Sequence, residues 1–344
     1  MTTPSPLHTD WLGIAGKVCV VNGAASGIGA SIVSALAERG AHVVLLDRNL
    51  QGCEQLQQSL NDYPGRSLSI ACDIADELQV KAAAERVAQE FGGCDALVNA
   101  AGILRAANLA EIELADWNAL LSVNLNGYLL CAREFGRLMR ESGAGSIVHI
   151  SSISAQIPQP YSGAYSPSKA AVEALSKQLA VEWGPFGIRS NCVAPGMIRT
   201  ALTAAYYDHP GITEAREAFT ATQRIGTPED IANAVLFLLS DRASYISGTE
   251  VDVNGGLSFT RCSPIYTSPS VISSSPAIMR SNVDFPQPDG PTNTVNSPSS
   301  ISILMLCSVT VLSKRFTTFL SLMLDIFDLL KIHTADISDY NHLV

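Results

Sequence analysis

Along its first three quarters the chain alternates between two hydrophobic rhythms. Short runs rich in β-branched and other apolar residues fall at 17–22, 42–47, 67–72, 96–99, 146–151, 189–193 and 250–253. Several are almost uniformly apolar, as a strand covered on both faces requires. Between them lie runs with apolar residues at helical spacing, at 28–39, 78–91, 117–140, 164–183 and 228–239. The last opens with Thr227, Pro228, Glu229 and Asp230, a cap followed by proline at the first helical position and an acidic first turn. Strands alternating with helices predict an α/β fold: a single-domain, Rossmann-type doubly wound parallel sheet of about seven strands with right-handed crossovers.

The rhythm stops near Cys262. Residues 263–300 are dense in Ser, Pro, Asn and Thr and read as a linker without usable apolar period. Apolar character returns at 301–312, and Phe316, Phe319, Leu320, Met323, Phe327 and Leu330 follow at helical spacing. Lys314, Arg315, Asp325 and Asp328 interrupt that stretch, whereas a membrane span needs about 20 uninterrupted apolar residues. The expected organisation is a flexible N-terminus at 1–12, a catalytic domain at 13–262, and an extension at 263–344. In that extension the linker precedes short apolar helices and order is poor. The polar, proline-bearing start of the chain does not read as a signal peptide.

Composition narrows the function. Of the 344 residues 47% are hydrophobic and 16% charged, enough to bury a sizeable core. The net charge of −10 argues against a nucleic-acid partner, because phosphate binding needs a surplus of Lys and Arg. The eight cysteines have no metal-site spacing and lie mostly in apolar runs, so they read as reduced thiols in a cytoplasmic protein. The histidines likewise show no ligand spacing, and no metal is expected. His149, inside an apolar strand, reads as a satisfied core residue.

Two groups of residues carry chemistry. The first strand runs into Asn22-Gly23-Ala24-Ala25-Ser26-Gly27-Ile28-Gly29. Glycines there allow a tight turn and a close approach of backbone to a pyrophosphate, and the helix beginning near Ile28 aims its first amides at that anion. Asp47, at the tip of the second strand, suits the ribose hydroxyls of NAD and repels the extra phosphate of NADP; the adjacent Arg48 favours the opposite choice. The second group centres on Tyr165 and Lys169, four apart on one helix face. A free tyrosine, with a pKa of about 10, is a poor base at neutral pH, and a nearby ammonium favours its phenolate. Ser152 ends the preceding strand, where a hydroxyl can hold a substrate oxygen. Asn124 interrupts a long apolar helix, as a buried structural bond or as part of a proton path.

Together these motifs resemble the short-chain dehydrogenase/reductase family over residues 16–257. The family's glycine-rich loop falls on Gly23, Gly27 and Gly29, its adenine-side acid on Asp73, followed by Ile74, and its fourth-strand motif on Asn99-Ala100-Ala101-Gly102. Its catalytic Asn, Ser, Tyr and Lys fall on Asn124, Ser152, Tyr165 and Lys169. Its cofactor-covering segment falls on Pro195-Gly196-Met197-Ile198-Arg199-Thr200. The chain departs from the family at Asn22, where Thr is usual, and in the tail beyond Asp252-Val253-Asn254-Gly255-Gly256.

The resemblance implies an oxidoreductase that exchanges a hydride between NAD and a secondary alcohol or ketone. Tyr165 moves the proton, Ser152 holds the oxygen, Lys169 binds the nicotinamide ribose and Asn124 fixes a water in the proton relay. It also implies a homotetramer or dimer. The expected lid, 201–222, carries Leu202, Tyr206, Tyr207, His209, Ile212 and Phe219, a mixed apolar and aromatic set. The alternatives are an NADP-dependent carbonyl or 3-oxoacyl thioester reductase and a non-catalytic NAD-binding regulator. A membrane or assembly role carried by the tail, or a tail that is a non-native extension, are further readings of residues 263–344.

Overall fold

The computed structural model describes residues 11–200, 203, 207 and 211–259. The C-terminal extension, residues 1–10, and Leu202, Tyr206 and His209 of the expected lid lie outside the described residues. Seven parallel strands form one sheet in the order β3-β2-β1-β4-β5-β6-β7. They are β1 (Val18–Asn22), β2 (His42–Asp47), β3 (Ser67–Ala71), β4 (Ala96–Asn99), β5 (Gly145–Ile150), β6 (Ile188–Pro195) and β7 (Glu250–Val253). The helices are α1 (Gly27–Glu38), α2 (Leu50–Ser59), α3 (Glu77–Phe91), α4 (Leu114–Leu121), α5 (Gly127–Ser142), α6 (Ile153–Gln156), α7 (Tyr165–Trp183), α8 (Ile212–Glu217) and α9 (Pro228–Leu239). This is the doubly wound α/β architecture that the alternating pattern predicts.

Strand pleating divides the core into two layers, because successive side chains point to opposite faces. Cys19 and Val21 of β1, Val43 and Leu45 of β2, and Val98 of β4 pack with Ile32 and Leu36 of α1 and Ile231 and Val235 of α9. Val18, Val20, Val44, Leu46 and Leu97 face the other way, against Val80 of α3, Phe135 of α5 and Val172 of α7. Both faces are covered, so the central strands read as unbroken apolar runs.

The departures from the predicted elements have local causes. α2 escapes the periodicity because only Cys53 is buried in a segment otherwise carrying Gln51, Glu54, Gln55, Gln57 and Gln58. The Asn49 side chain starts it by accepting from the Gly52 amide at 3.1 Å. The single helix predicted at 117–140 is instead α4 and α5 joined by a π turn, Ser122–Asn126. Trp11 and Leu12, assigned to the flexible N-terminus by sequence, are tied to the domain. Arg242 donates to the Trp11 carbonyl at 2.7 Å, and the Asp241 amide to that of Leu12 at 3.1 Å. At the start of α9 Asp230 accepts from the Thr227 amide at 2.8 Å and from both Arg224 nitrogens at 2.6 and 2.8 Å. The guanidinium above all holds the Asp230 carboxyl down at about 2.

β1 and β4 are neighbours in the sheet but not in the chain. The crossovers therefore leave in opposite directions there, and a crevice opens beyond the carboxyl ends of these strands. The turn after β1 is packed to the limit: a Cβ on Gly29 would lie 2.0 Å from the Gly23 carbonyl oxygen. Gly29→Ala is expected to cost about 1–3 kcal/mol through overpacking. Gly93 is not in the left-handed region and has open space where a Cβ would go. There Gly93→Ala should stabilise by about 0.4–1 kcal/mol by restricting the unfolded chain. Urea unfolding of the two variants checks both signs.

Candidate active site

The crevice beyond β1 and β4 is a cleft of about 330 Å³. Its walls include Gly23, Ser26, Gly27, Ile28 and Gly29 from the first loop, Asp47 and Arg48 from the end of β2, and Ile74. Ala100, Gly102 and Thr200 complete the set that sequence placed here. Ala101, within the fourth-strand motif, lines it too, and so do Leu46, Cys72, Ile103 and Val123, which were not foreseen. They are apolar residues beside recognised motifs, with nothing in their own chemistry to mark them. Gly23, at φ 70°, lies so close to the loop after β4 that a Cβ would meet the Ala101 amide nitrogen at 2.5 Å. A cleft floored by glycines, at the start of a helix that no side chain caps, fits a dinucleotide.

Asp47 is fixed by its own backbone surroundings: its carboxylate accepts from the Ala25 amide at 3.2 Å and the Asn49 amide at 2.9 Å. Arg48 is drawn toward Asp73, at 3.7 Å. Asp73 also accepts from the Ala75 amide at 3.0 Å. Asp73 is therefore paired with Arg48 and is not among the walls of the cleft. Asn99, assigned to cofactor contact by sequence, is not a wall either. Its side chain is fully buried, bonded to Asn22, to the Tyr128 carbonyl and to His149. Pro195, Gly196 and Ile198 stand apart from this cleft. Ile198 lines a second, smaller cavity with Asn254 and Gly255, and Gly196 packs against Asn254 so closely that a Cβ would sit 2.6 Å from its Cα.

Asn22 binds the two loops together. Its Oδ1 accepts from the Ala100 and Ala101 amides, both at 2.9 Å, and its Nδ2 donates to Asn99 Oδ1 at 2.5 Å. Asn99 then donates to His149 Nδ1 at 3.0 Å, which leaves the ring hydrogen on Nε2. Nε2 is buried without a partner, so His149 is satisfied on one nitrogen only. Burial, with the Lys169 charge second, pushes the His149 pKa down to about 3.

Asn124 sits in the π turn. It accepts from the Ile103 amide at 2.9 Å, donates to the Ile103 carbonyl at 3.0 Å and reaches Ser168 Oγ at 3.3 Å. The π turn is the local unwinding that brings this amide against the loop after β4.

Ser152, Tyr165 and Lys169 gather at the carboxyl end of β5. Ser152 Oγ accepts from the Ser154 amide at 3.1 Å, which caps α6 and leaves its hydrogen available. The neighbouring Ser152 hydroxyl lowers the Tyr165 pKa, but burial is the larger effect and leaves it raised. Lys169 Nζ lies 5.8 Å from the Tyr165 ring centre. Its bonds go elsewhere, to the Ile150 carbonyl at 2.8 Å and to Tyr128 Oη at 3.4 Å. The sequence reading has Lys169 drawing the Tyr165 pKa down. In the structure burial dominates both groups and pushes Lys169 down to about 8. Four groups thus meet within the site, and Tyr128 is the one that sequence reasoning missed. Its signal is faint: a tyrosine four residues after Asn124, on the same helix face.

Comparison with known proteins agrees with this geometry. The family described as enoyl-(acyl carrier protein) reductase matches residues 23–258. D-threitol dehydrogenase of Mycolicibacterium smegmatis is 41% identical over 257 residues, covering 74% of this chain and 98% of the relative. Cis-4-hydroxycyclohexanecarboxylate dehydrogenase of Sinomonas cyclohexanicum is 41% identical over 244 residues, covering 70% and 96%. Among solved structures, gluconate 5-dehydrogenase of Burkholderia cenocepacia in complex with NADP and tartrate superposes with a TM-score of 0.68 at 32% identity. That superposition covers 72% of this chain and 98% of the other.

Asn22 provides a direct measure of how the site is held. Asn22→Ala orphans the Ala100 and Ala101 amides and Asn99 Oδ1. Each unsatisfied buried group costs about 1–3 kcal/mol. Chemical denaturation should register a loss of at least that size, accompanied by weaker binding of reduced cofactor followed by fluorescence.

Proposed function

The chain belongs to the short-chain dehydrogenase/reductase family, and from that membership we propose that it transfers a hydride between NAD(H) and a small secondary alcohol or its ketone, with Tyr165 as the acid/base. The observation that carries this reading is the gathering of Ser152, Tyr165 and Lys169 at the end of β5, with Tyr165 one helical turn from Lys169, beside the glycine-floored cleft. The family's activity as an NAD(P)-dependent oxidoreductase supplies the chemistry, since the bound nicotinamide accepts or returns the hydride. The chain's own residues do the rest. Ser152 donates its hydroxyl hydrogen to the substrate oxygen. In oxidation, the alcohol O–H proton passes to the Tyr165 phenolate; in reduction, the phenol returns it to the forming alkoxide. Lys169, as an ammonium, favours the phenolate and binds the nicotinamide ribose. Asn124 holds the loop after β4 and the water path to Lys169.

NAD is proposed over NADP. Asp47 stands on the wall of the cleft with its carboxylate fixed by two backbone amides. Arg48, the residue suited to an extra phosphate, is drawn instead to Asp73. The names of the related enzymes support a small hydroxylated substrate: threitol and hydroxycyclohexanecarboxylate head a panel of secondary alcohols. The rival, an NADP-dependent reductase, draws on the NADP-bound neighbour. We further infer a homotetramer or dimer in the cytoplasm. Six buried free thiols among the described residues fit a reducing compartment. A dispensable extension at 263–344 is consistent with a family match that ends at residue 258.

Tyr165→Phe is expected to keep the fold and NADH binding while turnover on the best alcohol of the panel falls about 10²–10⁴-fold. Turnover within a few-fold of wild type removes Tyr165 from the mechanism. Asp47→Ser should narrow the NAD-over-NADP ratio of kcat/KM. A wild-type enzyme that uses NADP as well as NAD overturns the cofactor assignment.

A further inference from the structure

The reaction as proposed leaves one buried group beside Lys169 without a role. Tyr128, in the first turn of α5, is fully buried. Its hydroxyl donates to the Ala101 carbonyl at 2.8 Å, with the Ile150 carbonyl more distant at 3.4 Å. The one hydroxyl hydrogen is thereby engaged, and the oxygen lone pairs face Lys169 Nζ at 3.4 Å. The ammonium also lies over the Tyr128 ring, 5.2 Å from its centre, nearer than the 5.8 Å that separates it from the ring of Tyr165. The Tyr128 ring also stacks with His149, whose ring centre is 5.8 Å away at an interplanar angle of 25°. Asn99 holds His149 in turn, at 3.0 Å.

We propose that Tyr128 is a positioning residue: its hydroxyl and ring hold the Lys169 ammonium charged and in place between the end of β5 and the cofactor loop after β4. The physical need is plain. A buried ammonium sheds its proton unless acceptors and a ring face compensate for the lost water. The Ile150 carbonyl supplies one acceptor and Tyr128 both a second acceptor and a ring face. Tyr128 also makes the arrangement sensitive to the cofactor loop, because the same hydroxyl is bonded to Ala101, a wall of the cleft.

The groups facing Lys169 from the surrounding elements are Tyr165 on its own helix, Tyr128 on α5, His149 on β5 and Cys192 on β6. Burial holds His149 neutral, with a pKa of about 3, and raises Cys192 to about 12. Tyr128 and Tyr165 are both raised by burial. Lys169, lowered to about 8, is therefore the group that changes charge first as pH rises above neutrality. An ammonium needed for ribose binding is fully present below its pKa and lost above it. Affinity should therefore fall as pH rises through that value.

The inference rests on the reading of Lys169 as the ribose ligand, and the test separates the two. NADH, with NADPH in parallel, is titrated into the full-length protein by fluorescence between about pH 6 and 10, the range spanning the Lys169 transition. Wild type should lose affinity on the alkaline side. In Tyr128→Phe that loss should begin about one unit lower, so that affinity at the alkaline end is about tenfold weaker while affinity at the acid end is nearly unchanged. Lys169→Met should abolish the alkaline transition. If Lys169→Met binds with wild-type affinity and pH dependence, the reading of Lys169 fails. If Lys169→Met behaves as expected but the Tyr128→Phe transition stays at the wild-type pH, or affinity falls equally at every pH, Tyr128 is a packing residue only. Should Tyr128→Phe alone not accumulate folded protein, the Tyr128→Phe/Lys169→Met double variant decides. With no charge to hold, it should fold as stably as Lys169→Met by urea denaturation. Failure of both to fold assigns Tyr128 to the core and overturns the proposal.

Discussion

The hydrogen-bond chain from Asn22 through Asn99 to His149 crosses the three central strands, β1, β4 and β5, at their carboxyl ends. It ties the turn after β1 to the loop after β4, two of the walls of the cleft. At one end Asn22 Oδ1 captures the Ala100 and Ala101 amides, which would otherwise end β4 as unpaired buried donors. At the other end His149 provides the ring against which Tyr128 stacks. The polarity is set along its length: an amide oxygen that accepts two backbone hydrogens leaves its nitrogen to donate, and each acceptor then fixes the orientation of the next group. One unpaired atom remains, His149 Nε2, and it lies beside the buried lysine whose charge helps to keep the ring neutral.

Burial is the dominant electrostatic influence in the site. It raises the tyrosines and the cysteines, lowers the histidine and lowers Lys169 to about 8. Both shifts act in the same sense, favouring the neutral phenol of Tyr165 and the neutral amine of Lys169. The geometry around Lys169 matters more than its mere presence. An ammonium bonded to the Ile150 carbonyl stands above Gly102 and Asn124, 3.7 Å from where a Gly102 Cβ would be.

Local rules and the fold agree over most of the chain, and the disagreements fall where function is concentrated. A regular helix over 117–140 would have kept every backbone bond in register. The π turn at Ser122–Asn126 gives up that regularity and aims Asn124 at both backbone groups of Ile103. The periodicity of the flanking apolar residues is nearly unaffected by such a turn, so the pattern alone reads through it. Only the polar Asn124 in an apolar stretch betrays it. α2 is the converse case. Its polar, glutamine-rich sequence has little core to bury, and its helix is fixed by the Asn49 cap and by position rather than by an apolar stripe.

The sequence by itself determined the parallel α/β class, the place of nearly every strand, the glycine turn after β1 and the pairing of Tyr165 with Lys169 on one helix face. Each of these is a short-range matter: alternation of burial, the conformational freedom of glycine, and the spacing of four residues on a helix. It also located Asp47, because a strand end is visible in the pattern. Only the tertiary structure decided which of the recognised residues share a surface. Asn99 turned inward, Asp73 engaged Arg48, and Ile198 joined a separate cavity. It alone placed Tyr128 between Lys169 and Ala101, residues 41 and 27 positions away along the chain. Side-chain partners at that separation depend on how helices cross a twisted sheet and on which buried polar atoms must find one another. A one-dimensional pattern of apolar and polar residues does not carry that information.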